Sequence, residues 1–173
     1  MTRRLPIIQG EFAVVDEPEV MITTLLGSCV AVCLQDSVAK LGGMNHFLLG
    51  EPDQSHRVSA QDMQRYGVHA MELLINAMMK KGASRSRLRA HLYGGANIIA
   101  GLGSIGSSNA AFARRFVETE GIAIGHCDLG GTKARKVEFL PYEGRVRCNA
   151  VAGPPPPAIK PAAGPVGGDL ELF

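Results

Sequence analysis

No stretch of this 173-residue chain approaches the roughly 20 consecutive apolar residues of a membrane helix, so direct membrane insertion is not expected. Charge of one sign is equally scarce: 18 basic against 16 acidic residues leave a formal +2. The basic side chains are scattered, with no run longer than Arg3-Arg4, Lys80-Lys81 or Arg114-Arg115, and nucleic acid is not an expected partner. A signal peptide is not expected either, because Gln9, Gly10, Glu11 and Asp16 interrupt any apolar region after Arg3 and Arg4. A cytoplasmic location is the reading that follows. Cysteine is confined to positions 29, 33, 127 and 148, which are expected as thiols in the absence of an export signal. Cys29 and Cys33 make only a C-x-x-x-C, and His126-Cys127 adds one further pair. The tighter repeated pairs of structural zinc sites are absent, so no metal is expected.

What the chain does have is a core. Hydrophobic residues make up 46% and charged residues 20%, enough for one globular domain and too short for two. Residues from Phe12 to Leu34 read as two or three short strands with a turn at Asp16-Glu17-Pro18 and a break at Gly27-Ser28. Cys29 to Leu34 is a buried strand by composition, and Met44 to Leu49 a second one forming a hairpin with it. A helix runs from about Ser59 to Lys81, with Ser59 and Asp62 as a capping-box-like start and Gly82 past its end. Val68, Met71, Leu74, Ile75, Met78 and Met79 make its apolar face. A strand from Arg89 to Tyr93, a helix from about Asn109 to Thr119 and strands at Ile122–Cys127, Lys136–Leu140 and Arg145–Asn149 follow. The order is no simple strand–helix alternation, which argues for mixed or antiparallel sheets with helices on one side. Residues 1–150 are therefore the folded domain. Residues 151–173, with prolines at 154–157, 161 and 165, are expected to be extended or disordered, and their end at Asp169–Phe173 reads as a frayed terminus rather than a docking motif.

Two places invite a chemical reading. Gly101-Leu102-Gly103-Ser104-Ile105-Gly106 fits G-x-G-x-x-G, but Glu118 and Glu120 fall on the same following helix instead of at a second strand tip. Glycines that let one backbone pass close to another explain that stretch equally well, and no organic cofactor is expected. The second place is Thr23-Thr24-Leu25-Leu26-Gly27-Ser28-Cys29 with His46. A cysteine at the mouth of a strand after a small flexible pair can be exposed on a rigid backbone whose N–H groups face a developing oxyanion. Ordinary cysteine has a pKa of about 8.5, so an imidazole one strand away is the natural means of making thiolate. On local pattern alone, both residues read more readily as core than as a catalytic pair.

The runs TTLLGSCVAVCLQD, GGMNHFLLG, HLYGGANI and DLGGTKARKVEFLPYEGRV, with the Ile-Gly-x-x-Asn stretch ending at Asn109, resemble in order the CheD family of chemoreceptor glutamine deamidases. The likeness covers roughly residues 9 to 150. It departs at Gly50, where members often carry proline, and at Ser107-Ser108, where charged residues are common. The resemblance implies a protein-glutamine glutaminase with Cys29 as nucleophile and His46, seventeen residues later, as general base. Thr23, six residues before Cys29, matches the threonine that orients the histidine, with Thr24 as the adjacent alternative. It also implies an α+β fold, a layered α-β-β sandwich similar to the catalytic domain of cytotoxic necrotizing factor toxins. The implied partners are methyl-accepting chemoreceptors in their arrays and a CheC-type phosphatase. The competing readings are a chemotaxis regulator that works mainly by binding, and a cysteine hydrolase of other amides or of receptor methyl esters.

Overall fold

The apolar run Val30–Leu34 is the key to the architecture, because a strand with no polar side must be covered on both faces. In the computed structural model, which describes residues 1–49, 59–98 and 105–151, it is. The strands are β1 (Arg3–Pro6), β2 (Phe12–Val15), β3 (Val20–Leu26), β4 (Val30–Asp36), β5 (Leu41–Asn45), β6 (Arg89–Gly94), β7 (Ala123–Leu129), β8 (Arg135–Leu140) and β9 (Arg145–Ala150). The helices are α1 (Ala60–Lys80) and α2 (Ile105–Thr119). Five strands form one sheet in the order β2-β5-β4-β6-β7, and four form another in the order β1-β3-β8-β9. The β1–β3 and β6–β7 pairs are parallel and the other neighbours antiparallel, so both sheets are mixed.

Strand β4 sits at the centre of the larger sheet. Val30, Val32 and Leu34 pack with Met71, Leu74, Ile75 and Met78 of α1 and Phe112 and Phe116 of α2. Ala31 and Cys33 point the other way, into a second core with Ile22 and Leu26 of β3 and Val137 and Phe139 of β8. Helices, five-stranded sheet and four-stranded sheet thus stack in that order, an α+β arrangement with helices on one side. The α1 stripe is narrower than its sequence suggests. Met79 is exposed, because at 3.6 residues per turn it lies about 80° around the helix from Met71. The expected N-cap is present: the Ser59 side chain accepts from the Asp62 N–H.

Three element assignments differ from expectation. Arg3–Pro6, where no element was expected, is a strand, since a parallel edge position beside β3 asks little apolar character of it. Strand β5 ends at Asn45 instead of running to Leu49. The Asn45 side chain takes the Val32 N–H at 3.0 Å, which displaces the ladder bond, and pairing with β4 resumes only as an isolated Val30–Phe47 bridge. His46 sits in that gap. Helix α2 also starts four residues earlier than expected. Gly101–Gly103, Gly50 and residues 152–173 lie outside the described residues.

At the far end of β4, Asp36 is wholly buried and replaces a turn's missing partners. Its carboxylate accepts from the N–H groups of Val38, Ala39 and Ser84 and from the Arg87 guanidinium. Burial alone would raise this carboxyl, but the Arg87 and backbone donors outweigh it and hold it well below the usual carboxylate range.

Candidate active site

Three hydrogen bonds to successive backbone carbonyls fix the bend before β4. The carbonyl of Gly27 accepts from Ala96 N–H at 3.1 Å, that of Ser28 from the Asn109 amide at 2.8 Å, and that of Cys29 from Gly95 N–H at 2.8 Å. Peptide planes are rigid and trans, so an N–H points opposite the carbonyl before it. The N–H groups of Ser28 and Cys29 are therefore directed away from Ala96 and Asn109. This tie needs Gly94, at φ +110°, where a Cβ would lie 2.2 Å from the Cys29 oxygen. It also needs Gly106, where a Cβ would lie 2.2 Å from the Ala96 oxygen. The close-approach explanation of the glycines holds at Gly106.

Register brings the thiol and the imidazole to one face. Val30 stands opposite Phe47 and Cys33 opposite Met44, so continuing the same pairing sets Cys29 opposite Leu48. His46 is then a diagonal neighbour of Cys29, a separation of about 7 Å between Cβ atoms that side chains can span. Both are buried and face the smaller sheet. The His46 backbone, having left β4, is held from the other side: Gly10 N–H donates to its carbonyl at 2.8 Å and its own N–H donates to Glu11 at 3.0 Å.

From the smaller sheet, one hydroxyl meets the imidazole. Thr24 Oγ1 lies 2.7 Å from His46 Nδ1 and donates to the Ile7 carbonyl at 2.8 Å. A threonine hydroxyl has one hydrogen, and Ile7 holds it, so Thr24 can only accept from the ring. Nδ1 therefore carries the proton and Nε2 keeps its lone pair. Burial pushes the His46 pKa down to about 4, so the ring is neutral near pH 7 and available as a base.

The place expected for Thr23 thus belongs, in the geometry, to Thr24. Strand alternation decides it: Ile22, Thr24 and Leu26 face the inter-sheet core, whereas Thr23 points to the opposite face and offers only its backbone carbonyl, to Ile7 N–H at 2.9 Å. Spacing along the chain does not reveal which of two adjacent threonines points inward.

Three further residues hold the site and were not singled out individually from the sequence. Buried Asn109, on the first turns of α2, donates to the Ser28 carbonyl and accepts from Leu49 N–H at 3.1 Å, clamping the cysteine bend to the chain after His46. Asn45 opens the gap that His46 occupies. Gln9, between β1 and β2, accepts from the Cys29 thiol, Sγ to Oε1 3.7 Å. A small cavity of about 90 Å³ opens beside His46, walled by Phe12, Tyr66 and Leu73 among others.

The other cysteines do not join. Cys33 is fully buried, and burial first, then the neighbouring Cys148, push its thiol up. Cys29 and Cys33 share a face but stand about 13 Å apart along the strand, too far to chelate one ion. His126 bonds Tyr93 and Cys127 contacts Arg114. Among the described residues, no three His, Cys, Asp or Glu side chains gather as metal ligands. No described helix is long and apolar enough to cross a membrane.

A thiol and an imidazole on one sheet face, with a hydroxyl from the other sheet against the ring, mark an α+β protein with a candidate thiol-hydrolase centre. The chain belongs to the CheD family: residues 48–150 match the family model described as CheD chemotactic sensory transduction. The chain is similar, at 49% identity, to the probable chemoreceptor glutamine deamidase CheD of Zymomonas mobilis, over 99% of this chain and 93% of that protein. The protein of the same name from Caulobacter sp. is 50% identical over 98% of this chain and 93% of its own length. Thr24, Cys29 and His46 precede the family-model segment but fall within the span of these two alignments. A Neisseria meningitidis protein of the DUF152 family, 16% identical, overlaps 70% of this chain and 52% of its own at a TM-score of 0.40, too slight to define a common fold.

Proposed function

We propose that residues 1–150 deamidate glutamine side chains of methyl-accepting chemoreceptors in bacterial chemotaxis adaptation. Cys29 is the nucleophile, His46 the general base, and Thr24 the residue that orients the imidazole. The observation that carries this reading is the chain of bonds from Ile7 through Thr24 to His46. It leaves a neutral ring with a basic Nε2 on the same sheet face as the thiol.

The steps follow from those groups. Nε2 takes the Cys29 proton as the sulfur attacks the substrate's side-chain carbonyl carbon, and the carbonyl electrons move to oxygen. The Ser28 and Cys29 N–H groups, turned outward by the bonds on the preceding carbonyls, are the donors for that oxyanion. The imidazolium returns its proton to the departing nitrogen, ammonia leaves, and a thioester remains. Water, deprotonated by the same nitrogen, attacks the thioester and releases glutamate and the thiol. No cofactor enters this scheme. The names borne by the two relatives support the receptor as substrate. The likeness to the toxin catalytic domain, association with receptor arrays and a CheC-type phosphatase partner belong to the same proposal and rest on resemblance alone.

The test is mass spectrometry of a receptor cytoplasmic fragment before and after incubation, with ammonia measured in parallel. Wild-type protein is expected to convert specific glutamines to glutamates, and folded Cys29→Ala to convert none. Conversion by Cys29→Ala at the wild-type rate would sink the mechanism.

A further inference from the structure

The stretch from Ile7 to Glu11 touches every part of the candidate centre. Ile7 holds the Thr24 hydroxyl, Gly10 and Glu11 hold the His46 backbone, and Gln9 reaches the thiol. The first three contacts are made by backbone groups rather than side chains. Gln9 acts through its side chain, is exposed, and presents Oε1 to Sγ at 3.7 Å. A hydrogen-bond acceptor therefore sits where the reacting group of a substrate must arrive.

We infer that Gln9 is a specificity residue, its Oε1 accepting a hydrogen bond from the NH2 of the substrate carboxamide once that group displaces the thiol proton from it. The consequence is chemical selection at one atom. A primary amide brings two N–H donors to that position. A methyl ester brings an oxygen with none, and the product carboxylate brings a second acceptor that Oε1 repels. A centre of thiolate, base and oxyanion donors does not by itself distinguish amide from ester, since all three serve either carbonyl. An acceptor placed at the leaving-group side does. A site that must hydrogen-bond its substrate rejects the analogue lacking the donor more strongly than a shape-based pocket can. Because Gln9 is exposed, its carboxamide can turn from thiol to substrate without disturbing the core.

This inference rests on the deamidase reading, and the experiment separates the two. Wild type, Gln9→Met and Gln9→Glu are compared on a receptor cytoplasmic fragment carrying either glutamine or glutamyl methyl ester at the same positions. Ammonia and methanol are the respective readouts. Gln9→Met, which keeps length but loses the acceptor, is expected to lose about tenfold in kcat/KM for the amide and less than twofold for the ester. Gln9→Glu keeps an acceptor and is expected to hold the amide-to-ester ratio near that of wild type, even where its negative charge slows both reactions. Equal losses on both substrates in Gln9→Met, or no loss on either, would overturn the inference while leaving the deamidase reading intact. Wild-type protein that releases no ammonia would overturn both. Unchanged thermal midpoints for the two variants are expected from the exposure of Gln9.

Discussion

Thr24, on the four-stranded sheet, and His46, just past the end of β5, are joined by a 2.7 Å contact between Oγ1 and Nδ1. The direction of that bond is set from outside the pair, by the Ile7 carbonyl that takes the hydroxyl hydrogen. Thr24→Val keeps the shape and loses both bonds, so the ring is free to rotate and to change tautomer. It is expected to cost about a hundredfold in kcat/KM for ammonia release. Thr24→Ser should stay close to wild type, and Thr23→Val should change little, because its side chain faces away from the ring. The reverse ranking of the two valine variants would return the orienting role to Thr23.

His46 makes the fold acid-sensitive. Its pKa, lowered by burial to about 4, lies below the ordinary value of about 6.5, so the unfolded chain binds the proton more readily. Stability is then full above pH 6.5 and declines as pH falls toward 4, by up to about 3 kcal/mol. His46→Gln should lose deamidation yet show a flatter stability profile across that interval, measured by urea midpoints at each pH. Parallel profiles for the two proteins would contradict the burial argument.

Asn109 is expected to matter twice. Asn109→Leu removes the bonds to the Ser28 carbonyl and Leu49 N–H and leaves both without their side-chain partner in a buried setting. A loss of about 2 kcal/mol is expected in denaturant unfolding. Turnover of the folded variant should fall by more than tenfold, because the cysteine bend is no longer clamped.

Asp36 offers the contrasting case. It lies seven residues from Cys29, roughly 23 Å along the strand, and serves the turn after β4, Ser84 and Arg87. Asp36→Ala leaves Arg87 and three N–H groups without their acceptor and should cost about 3 kcal/mol. Turnover per folded molecule should be unaffected, a separation that unfolding curves and ammonia assays on the same sample will read.

Cys33→Ala tests whether the second cysteine is packing. A stability cost of about 1 kcal/mol with undiminished turnover is the expected pair of results. Lost activity with intact folding would bring Cys33 into the centre.

The sequence was most informative where one residue's character determines its surroundings. The apolar run of β4 requires covering on both faces, and the α1 stripe and Ser59 cap announce the helix. It was least informative where a choice depends on a neighbour far along the chain. Whether Thr23 or Thr24 points inward depends on how β3 lies against β8. The end of β5 depends on a side chain of Asn45 outcompeting its own backbone for Val32. Gln9 carries no local signal, since its part in the site comes from the thiol it meets twenty residues on. Asn109 was visible only as the last letter of a familiar block.

The bond between Thr24 and His46 also bears on when activity appears as the chain folds. Each hairpin of the larger sheet can form from nearby residues, and with it the juxtaposition of thiol and imidazole. The correct tautomer cannot, for it requires β3 and the Ile7 stretch to have docked across the sheet, contacts of long sequence separation that form slowly. Until then the chain carries a sulfur and an unoriented ring, and its reactivity toward amides waits on the last large assembly step. On the proposed mechanism, activity is expected to report completed folding of both sheets rather than of either one.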